Sequence, residues 1–260
     1  MRKSAAARVA TRGHPRPLSL KVADGVAWLR LERPEAGNRI TQRLAQALSD
    51  AAAEIELDEA VVAVVLAAAG RSFCLGIEDG GTWERRIDWA GAIGRLTRPV
   101  IAALQGDAFA EGLELALCCD LRIASDRARF AMPQLRMGRL PSHGGTQRLP
   151  RIVGRMRALD LLLTGRTLDA TEAYAIGLAS RVVPHTSFPG VLKQIVAALR
   201  AKGPIALRYA KEAVLKGSDL TLDQGIRLEE DLYVLLQTTR DRREGVAAFL
   251  KKRKPVFRGC

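Results

Sequence analysis

The sequence has no uninterrupted apolar run approaching the roughly 20 residues that a bilayer-spanning helix needs. Its longest, Val61 to Ala69, is short enough for one buried strand, so a transmembrane protein is excluded. Cysteine is sparse, and Cys74, Cys118, Cys119 and Cys260 fall in no metal-binding or redox spacing. Neutral, buried thiols in a reducing compartment are therefore expected, with no metal site. No apolar core of a secretory signal stands near the start. No proline- or serine-rich linker divides the chain, and no internal repeat is visible. What is present is ordinary for a globular chain with a full core: 260 residues, 48% hydrophobic and 27% charged.

Acid is scarce relative to base, and the formal net charge is +13. Residues 1–23 carry Arg2, Lys3, Arg8, Arg12, Arg16 and Lys21 without one acidic residue. The other end carries Lys251, Lys252, Arg253, Lys254 and Arg258, and a third concentration runs from Arg136 through Arg139, Arg148, Arg151, Arg155 and Arg157. Such a balance favours polyanionic partners, whether coenzyme A, nucleic acid or anionic lipid. Helix-turn-helix, zinc-finger and aromatic RNA-binding signatures are missing, so a nucleic-acid partner is not expected. The stretch 1–17 reads as a flexible basic arm outside the fold, and its composition also fits a mitochondrial transit peptide.

Leu18–Val22 and Val26–Leu31 are β-prone runs around Ala-Asp-Gly, a hairpin with Gly25 supplying the positive φ. Thr41 can cap a helix whose apolar face repeats Leu44, Leu48, Ala51, Ala52 and Ile55. Val61 to Leu66 is apolar at every position, which predicts a strand covered on both faces. Pro99–Leu104 and Asp120–Ala124 are further buried strands with a short helix near 111–118 between them. From Gly144 onward helices dominate: 145–153, 155–164, 169–176, 188–201, 204–217 and 221–237. Strand–helix alternation followed by helices predicts an α/β core with a helical C-terminal region.

Two loops carry candidate chemistry. Arg71-Ser72-Phe73-Cys74-Leu75-Gly76-Ile77-Glu78-Asp79 follows one buried strand, and Gln105 to Ala116 follows another and opens a helix. Glycine at such turns lets the backbone bend sharply and expose N–H groups that can stabilise negative charge. Alone, each loop has a purely structural reading. Added to them are Leu31-Glu32-Arg33-Pro34-Glu35, Arg98-Pro99-Val100-Ile101-Ala102-Ala103 and Glu114-Leu115-Ala116-Leu117-Cys118-Cys119-Asp120. Gly144-Gly145-Thr146-Gln147-Arg148-Leu149 and Asp241-Arg242-Arg243-Glu244-Gly245 follow. In this order the stretches resemble the crotonase superfamily, the enoyl-CoA hydratase/isomerase family, from about Leu18 to Gly259.

The resemblance implies an α/β fold: a crotonase-like spiral of ββα units over 18–188, then a helical C-terminal trimerisation region over 189–260. It implies an acyl-CoA substrate, no cofactor beyond the coenzyme A of the substrate itself, and a homotrimer or a hexamer. A cytoplasmic location is implied, or the mitochondrial matrix if the source is eukaryotic. The thioester carbonyl would lie in an oxyanion hole made of the main-chain N–H groups of Ile77 and Glu111. Leu75, Gly76 and Glu78 would stand beside the substrate, and Tyr233 and Lys252 match positions that contact coenzyme A, partly across a subunit interface.

Two departures bear on the reaction. Glu111 stands where the family commonly has glycine, which brings crowding or extra charge to the oxyanion hole. The family's hydratases use two glutamates; the first matches Glu114, but the second falls on Gln134 in Phe130-Ala131-Met132-Pro133-Gln134. An amide can hold water or a carbonyl but cannot accept a proton at neutral pH, so two-carboxylate hydration is expected to be impaired. Single-base enolate chemistry, as in double-bond migration, is left open. Decarboxylation, CoA hydrolysis, and a catalytically impaired CoA- or RNA-binding homologue are the alternatives. His143, in a loop the family places near the active site, is an auxiliary candidate or an exposed bystander. Trp83 and Trp89 lie in a segment that roofs the acyl chain in the family, or they simply anchor a helix.

Overall fold

A computed structural model describes residues 16–78 and 87–260. The basic arm, but for its last two residues, and Trp83 lie outside the described residues.

The chain opens with a hairpin, β1 (Leu18–Ala23) and β2 (Val26–Leu31). Asp24 and Gly25 both take positive φ, 51° and 74°, the tight two-residue turn that matches strand twist. Helix α1 (Gln42–Leu57) begins where the Thr41 hydroxyl accepts the Leu44 N–H, and it buries the expected face of Leu44, Leu48, Ala51, Ala52 and Ile55. Strand β3 (Ala63–Ala68) then pairs parallel with β2, two residues later than the sequence suggests.

Helix α2 (Trp89–Gly94), capped by Asp88, leads to β4 (Val100–Leu104), β5 (Ala108–Phe109) and α3 (Glu111–Leu117). Next come β6 (Leu121–Ser125), β7 (Arg129–Ala131) and a 3-10 turn over Pro133–Met137. Helices α4 (Gly145–Val153) and α5 (Arg155–Thr164), strand β8 (Thr167–Asp169), helix α6 (Ala170–Ala175) and strand β9 (Arg181–Val183) complete the core. Four helices follow: α7 (Phe188–Arg200), α8 (Pro204–Gly217), α9 (Leu222–Gln237) and α10 (Arg240–Leu250).

The main sheet runs β1-β2-β3-β4-β6-β9 and is parallel apart from the first hairpin; a small second sheet runs β5-β7-β8. Alternation along the strands explains why β3 and β4 are apolar throughout. Val64, Leu66, Ala102 and Leu104 face α1 and α2, whereas Val65, Ile101, Ala103 and Ile123 face Phe188, Leu192, Ile195 and Val196 of α7. Arg98 is buried beside this sheet and donates to the carbonyls of Glu56, Asp58 and Val61, closing the end of α1. Lys211 of α8 pairs with Asp120 at 2.7 Å and donates to the Arg98 carbonyl, which ties the C-terminal helices to the core.

Two loops meet at the ends of β3 and β4. The buried amide of Asn38 donates to the carbonyls of Ala69 and Ser72, and Gln105 donates to those of Ala68, Gly70 and Ser72. Phe73 and Cys74 N–H groups bond to the Asp107 carbonyl, and Phe109 N–H returns to the Cys74 carbonyl. The approach is so close that a methyl group at Gly106 or Gly112 would overlap the carbonyl oxygen of Arg71 or Cys74.

Gly112 lies inside α3, where alanine would gain about 1 kcal/mol of helix propensity. Overlap with a fixed carbonyl outweighs that gain, at roughly 3 kcal/mol for overpacking. Gly112→Ala is thus expected to lower the unfolding free energy by about 2 kcal/mol in a urea titration. An unchanged midpoint would mean that the two loops are not held this tightly.

Candidate active site

Glu114 lies at the middle of α3, in its first turn, and is fully buried. Its Oε1 accepts two main-chain bonds at 2.8 Å, from His143 N–H and Gly145 N–H. Gly145 is the first residue of α4, so the carboxylate sits against the positive end of that helix. Gly144 takes φ 98° to turn the chain there, and a side chain on Gly145 would press on the Glu114 carboxylate. The Gly-Gly pair is therefore what lets the loop wrap the acid.

Burial pushes the Glu114 carboxyl up to about 7, against the bonds from Gly145 and His143, while the negative charge of Glu111 raises it further. Gln134, carried by the Pro133–Met137 turn, is also fully buried and places Nε2 3.4 Å from Glu114 Oε2. Its Oε1 has no hydrogen-bond partner among the described residues. A titratable acid poised near neutrality and a half-satisfied amide thus share one buried site.

The loop after β3 runs through Leu75, which bonds to the Gly37 carbonyl, and brings Gly76 and Ile77 against the start of α3. Gly76 has φ 107°, and Ile77 N–H donates to Glu111 Oε2 at 3.0 Å. The other oxygen of Glu111 is held by Arg139 Nη2 at 2.7 Å. The Glu111 side chain therefore points at the Ile77 N–H. Its own N–H opens α3, so it has no partner within the helix. Ala110, just before it, takes φ 50° and ψ −123°, a conformation that disfavours a side chain.

His143 reaches Glu114 through its main chain, and its ring lies 4.5 Å from that of Trp89, centroid to centroid. Trp89 is fully buried at the start of α2, with Nε1 lacking a partner among the described residues. Glu78 is tied to Arg33 at 2.6 Å, which holds its carboxyl below the ordinary range. Tyr233 on α9 and Lys252 after α10 are exposed, and neither bonds to the cluster around Glu114.

Arg139 had no signal in the sequence beyond its basic run, because its partner lies 28 residues away. Cys74, Cys118 and Cys119 are buried, and burial pushes the first two up to about 12; Cys260 is exposed, contrary to expectation. Among the described residues no group of acids, histidines or cysteines could hold a metal ion.

A family model described as enoyl-CoA hydratase/isomerase matches residues 21–260. The crotonyl-CoA hydratase of Syntrophomonas wolfei is 35% identical over 252 residues, covering 92% of this chain and 96% of that protein. The (E)-benzylidenesuccinyl-CoA hydratase of Thauera aromatica is 34% identical over 255 residues, covering 94% of this chain and all of that protein (100%). The crystal structure of an enoyl-CoA hydratase from Bacillus anthracis superposes with a TM-score of 0.90 at 34% identity, across 94% of this chain and 100% of that one. The α/β fold with a helical C-terminal region is the one that this crystal structure shares, and the chain belongs to the enoyl-CoA hydratase/isomerase family.

Proposed function

We propose that the chain binds an acyl-CoA with the thioester carbonyl oxygen at the main-chain N–H groups of Ile77 and Glu111, and that Glu114 is its single acid–base residue. The observation that carries this reading is the pair of buried side chains: one carboxyl raised to about 7, and beside it an amide in place of a second carboxylate. Removing a proton next to a thioester builds charge on the carbonyl oxygen, and preorganised N–H donors lower that barrier. Ionised Glu114 takes the proton, and the same group returns it at another carbon. Double-bond migration needs no second carboxylate, because the proton removed is the proton delivered. Gln134, with one end of its amide unengaged, holds a substrate oxygen or a water in place.

No cofactor enters this scheme; coenzyme A arrives as part of the substrate. Residues 18–188 carry the acyl-CoA site in this reading, and 189–260 form the assembly surface. Support for assembly as a homotrimer or hexamer comes from α8, which buries no residue at all, and α9, which buries only Leu232. Exposed on these helices are Val214, Leu215, Leu222, Ile226, Val234 and Leu235, an apolar face of the kind that subunits cover. Tyr233 and Lys252 would then meet coenzyme A across such an interface, where a lysine suits a phosphate. No helix among the described residues is long and apolar enough to cross a membrane, and a cytoplasmic location accords with this chemistry.

Glu114→Gln is expected to cut turnover of 3-enoyl-CoA substrates about a thousandfold, measured by the rise of the conjugated thioester. The same change acts on stability in the opposite direction. Because the folded-state carboxyl titrates near 7 rather than at its ordinary 4.5, stability is lost as pH climbs between those values. At pH 8 the variant should therefore be more stable by about 3 kcal/mol, an excess that vanishes below pH 4. Unchanged turnover would remove Glu114 as the base.

For the parent enzyme, kcat/KM should rise with pH and level off above about 7, as the base ionises. Gln134→Glu restores a second carboxylate and is expected to raise crotonyl-CoA hydration at least about tenfold. No gain would show that the pocket excludes a productively placed water.

A further inference from the structure

The donor that the proposed function assigns to the thioester oxygen is already engaged. Ile77 N–H bonds to Glu111 Oε2 at 3.0 Å, and Arg139 grips the other oxygen at 2.7 Å. The Glu111 side chain is 5% exposed and that of Arg139 30% exposed, so the pair lies at the edge of the buried site. Gly76 is shaped to receive it: an added Cβ there would lie 3.1 Å from Glu111 Oε2, and its φ of 107° disfavours any other residue. One main-chain N–H and one guanidinium make a carboxylate cradle, and the chain fills it with its own side chain.

We infer that Glu111 is a displaceable internal ligand of the Ile77 N–H, which an acyl thioester expels and coenzyme A alone does not. This rests on the assignment of Ile77 as an oxyanion donor. A thioester oxygen and the Glu111 carboxylate cannot both occupy the same N–H. Binding therefore requires the carboxylate to swing out on its side-chain torsions. The Arg139 head group is the more exposed partner of the two. Free coenzyme A ends in a thiol and has no thioester carbonyl to offer at that position, so it leaves the cradle filled. The exchange adds the same term to the bound ground state and to every later state, which weakens apparent thioester affinity by the fraction of open cradle. Glu111 thus sets a threshold common to all acyl thioesters: those with enough acyl-chain contact to offset the exchange bind well, and weakly held ones do not.

Isothermal titration with butyryl-CoA, a saturated thioester that offers no double bond to migrate, and with coenzyme A separates the contributions. Glu111→Gly should tighten butyryl-CoA about tenfold, the scale of one hydrogen bond to a charged group, and leave coenzyme A unchanged. Glu111→Gln keeps a side chain at the start of α3 and should shift butyryl-CoA in the same direction by less. Sodium acetate should compete with butyryl-CoA in Glu111→Gly, where the cradle is empty, and not in the parent. Equal shifts for both ligands, or no gain for butyryl-CoA in either variant, would overturn the inference. Absence of acetate competition in Glu111→Gly would instead sink the underlying assignment of the Ile77 N–H as the thioester's donor, whereas competition without any gain in butyryl-CoA affinity sinks the inference alone.

Discussion

The close approach of the loop after β3 to the turn after β4 is the constraint on which the site depends. Gly106 and Gly112 have no room for a methyl group because the carbonyls of Arg71 and Cys74 fill that space. The amides of buried Asn38 and half-buried Gln105 donate five bonds to carbonyls of residues 68–72 and fix the first loop's course. With the backbones in contact, Ile77 N–H and the start of α3 face each other across one short gap. Two donors on different elements can act on one oxygen only if the elements cannot drift apart. Positive φ at Ala110, unusual for a residue with a side chain, fits a turn whose geometry is set by these contacts rather than by local preference.

A second balance operates on Glu114. Removing a carboxylate from water disfavours its charge strongly, and two N–H bonds at the α4 terminus oppose that without cancelling it. The outcome is a group that can hold or release a proton near neutral pH. An exposed glutamate would be a far weaker base, and a buried one without those bonds would stay protonated. The Gly144-Gly145 turn is therefore a determinant of acidity as much as of shape, since any side chain at 145 would push against the carboxylate.

Much of this was legible in the sequence, and the reasons are local. The hairpin, α1 with its Thr41 cap, and the doubly covered strands β3 and β4 rest on turn chemistry and on periods of 2 and 3.6 residues, which a sequence displays directly. The sheet β5-β7-β8 escaped notice because strands of two or three residues carry no period. Glu114 and Gln134 could be placed through the motifs around them. The direction of the Glu111 side chain could not, because it depends on Arg139 arriving from a separate turn. The same holds for Glu78, whose partner Arg33 lies 45 residues earlier. His143 shows the converse: a histidine chosen for its ring serves Glu114 through its main-chain N–H, while the ring packs on Trp89.

The two departures from the family pattern, Glu111 and Gln134, gain meaning when taken together. Replacing a glutamate by glutamine beside Glu114 removes one negative charge from the buried site, whereas glutamate in place of glycine at 111 adds one at its edge. In the proposed scheme, charge is thus conserved near Glu114 but relocated, from the side where a second carboxylate would deliver water to the side assigned to the thioester oxygen. Burial is the main reason the Glu114 carboxyl stands near neutral, and Glu111 raises it further, as a neighbouring carboxylate would. A carboxylate at position 134 would be free to activate water. One at 111 is pinned between Arg139 and Ile77 N–H and has both oxygens engaged. The relocation preserves the electrostatics that tune Glu114 while withdrawing the group that would pair with it in hydration. Under the proposed function, that combination favours a proton shuttle by one residue over the addition of water by two.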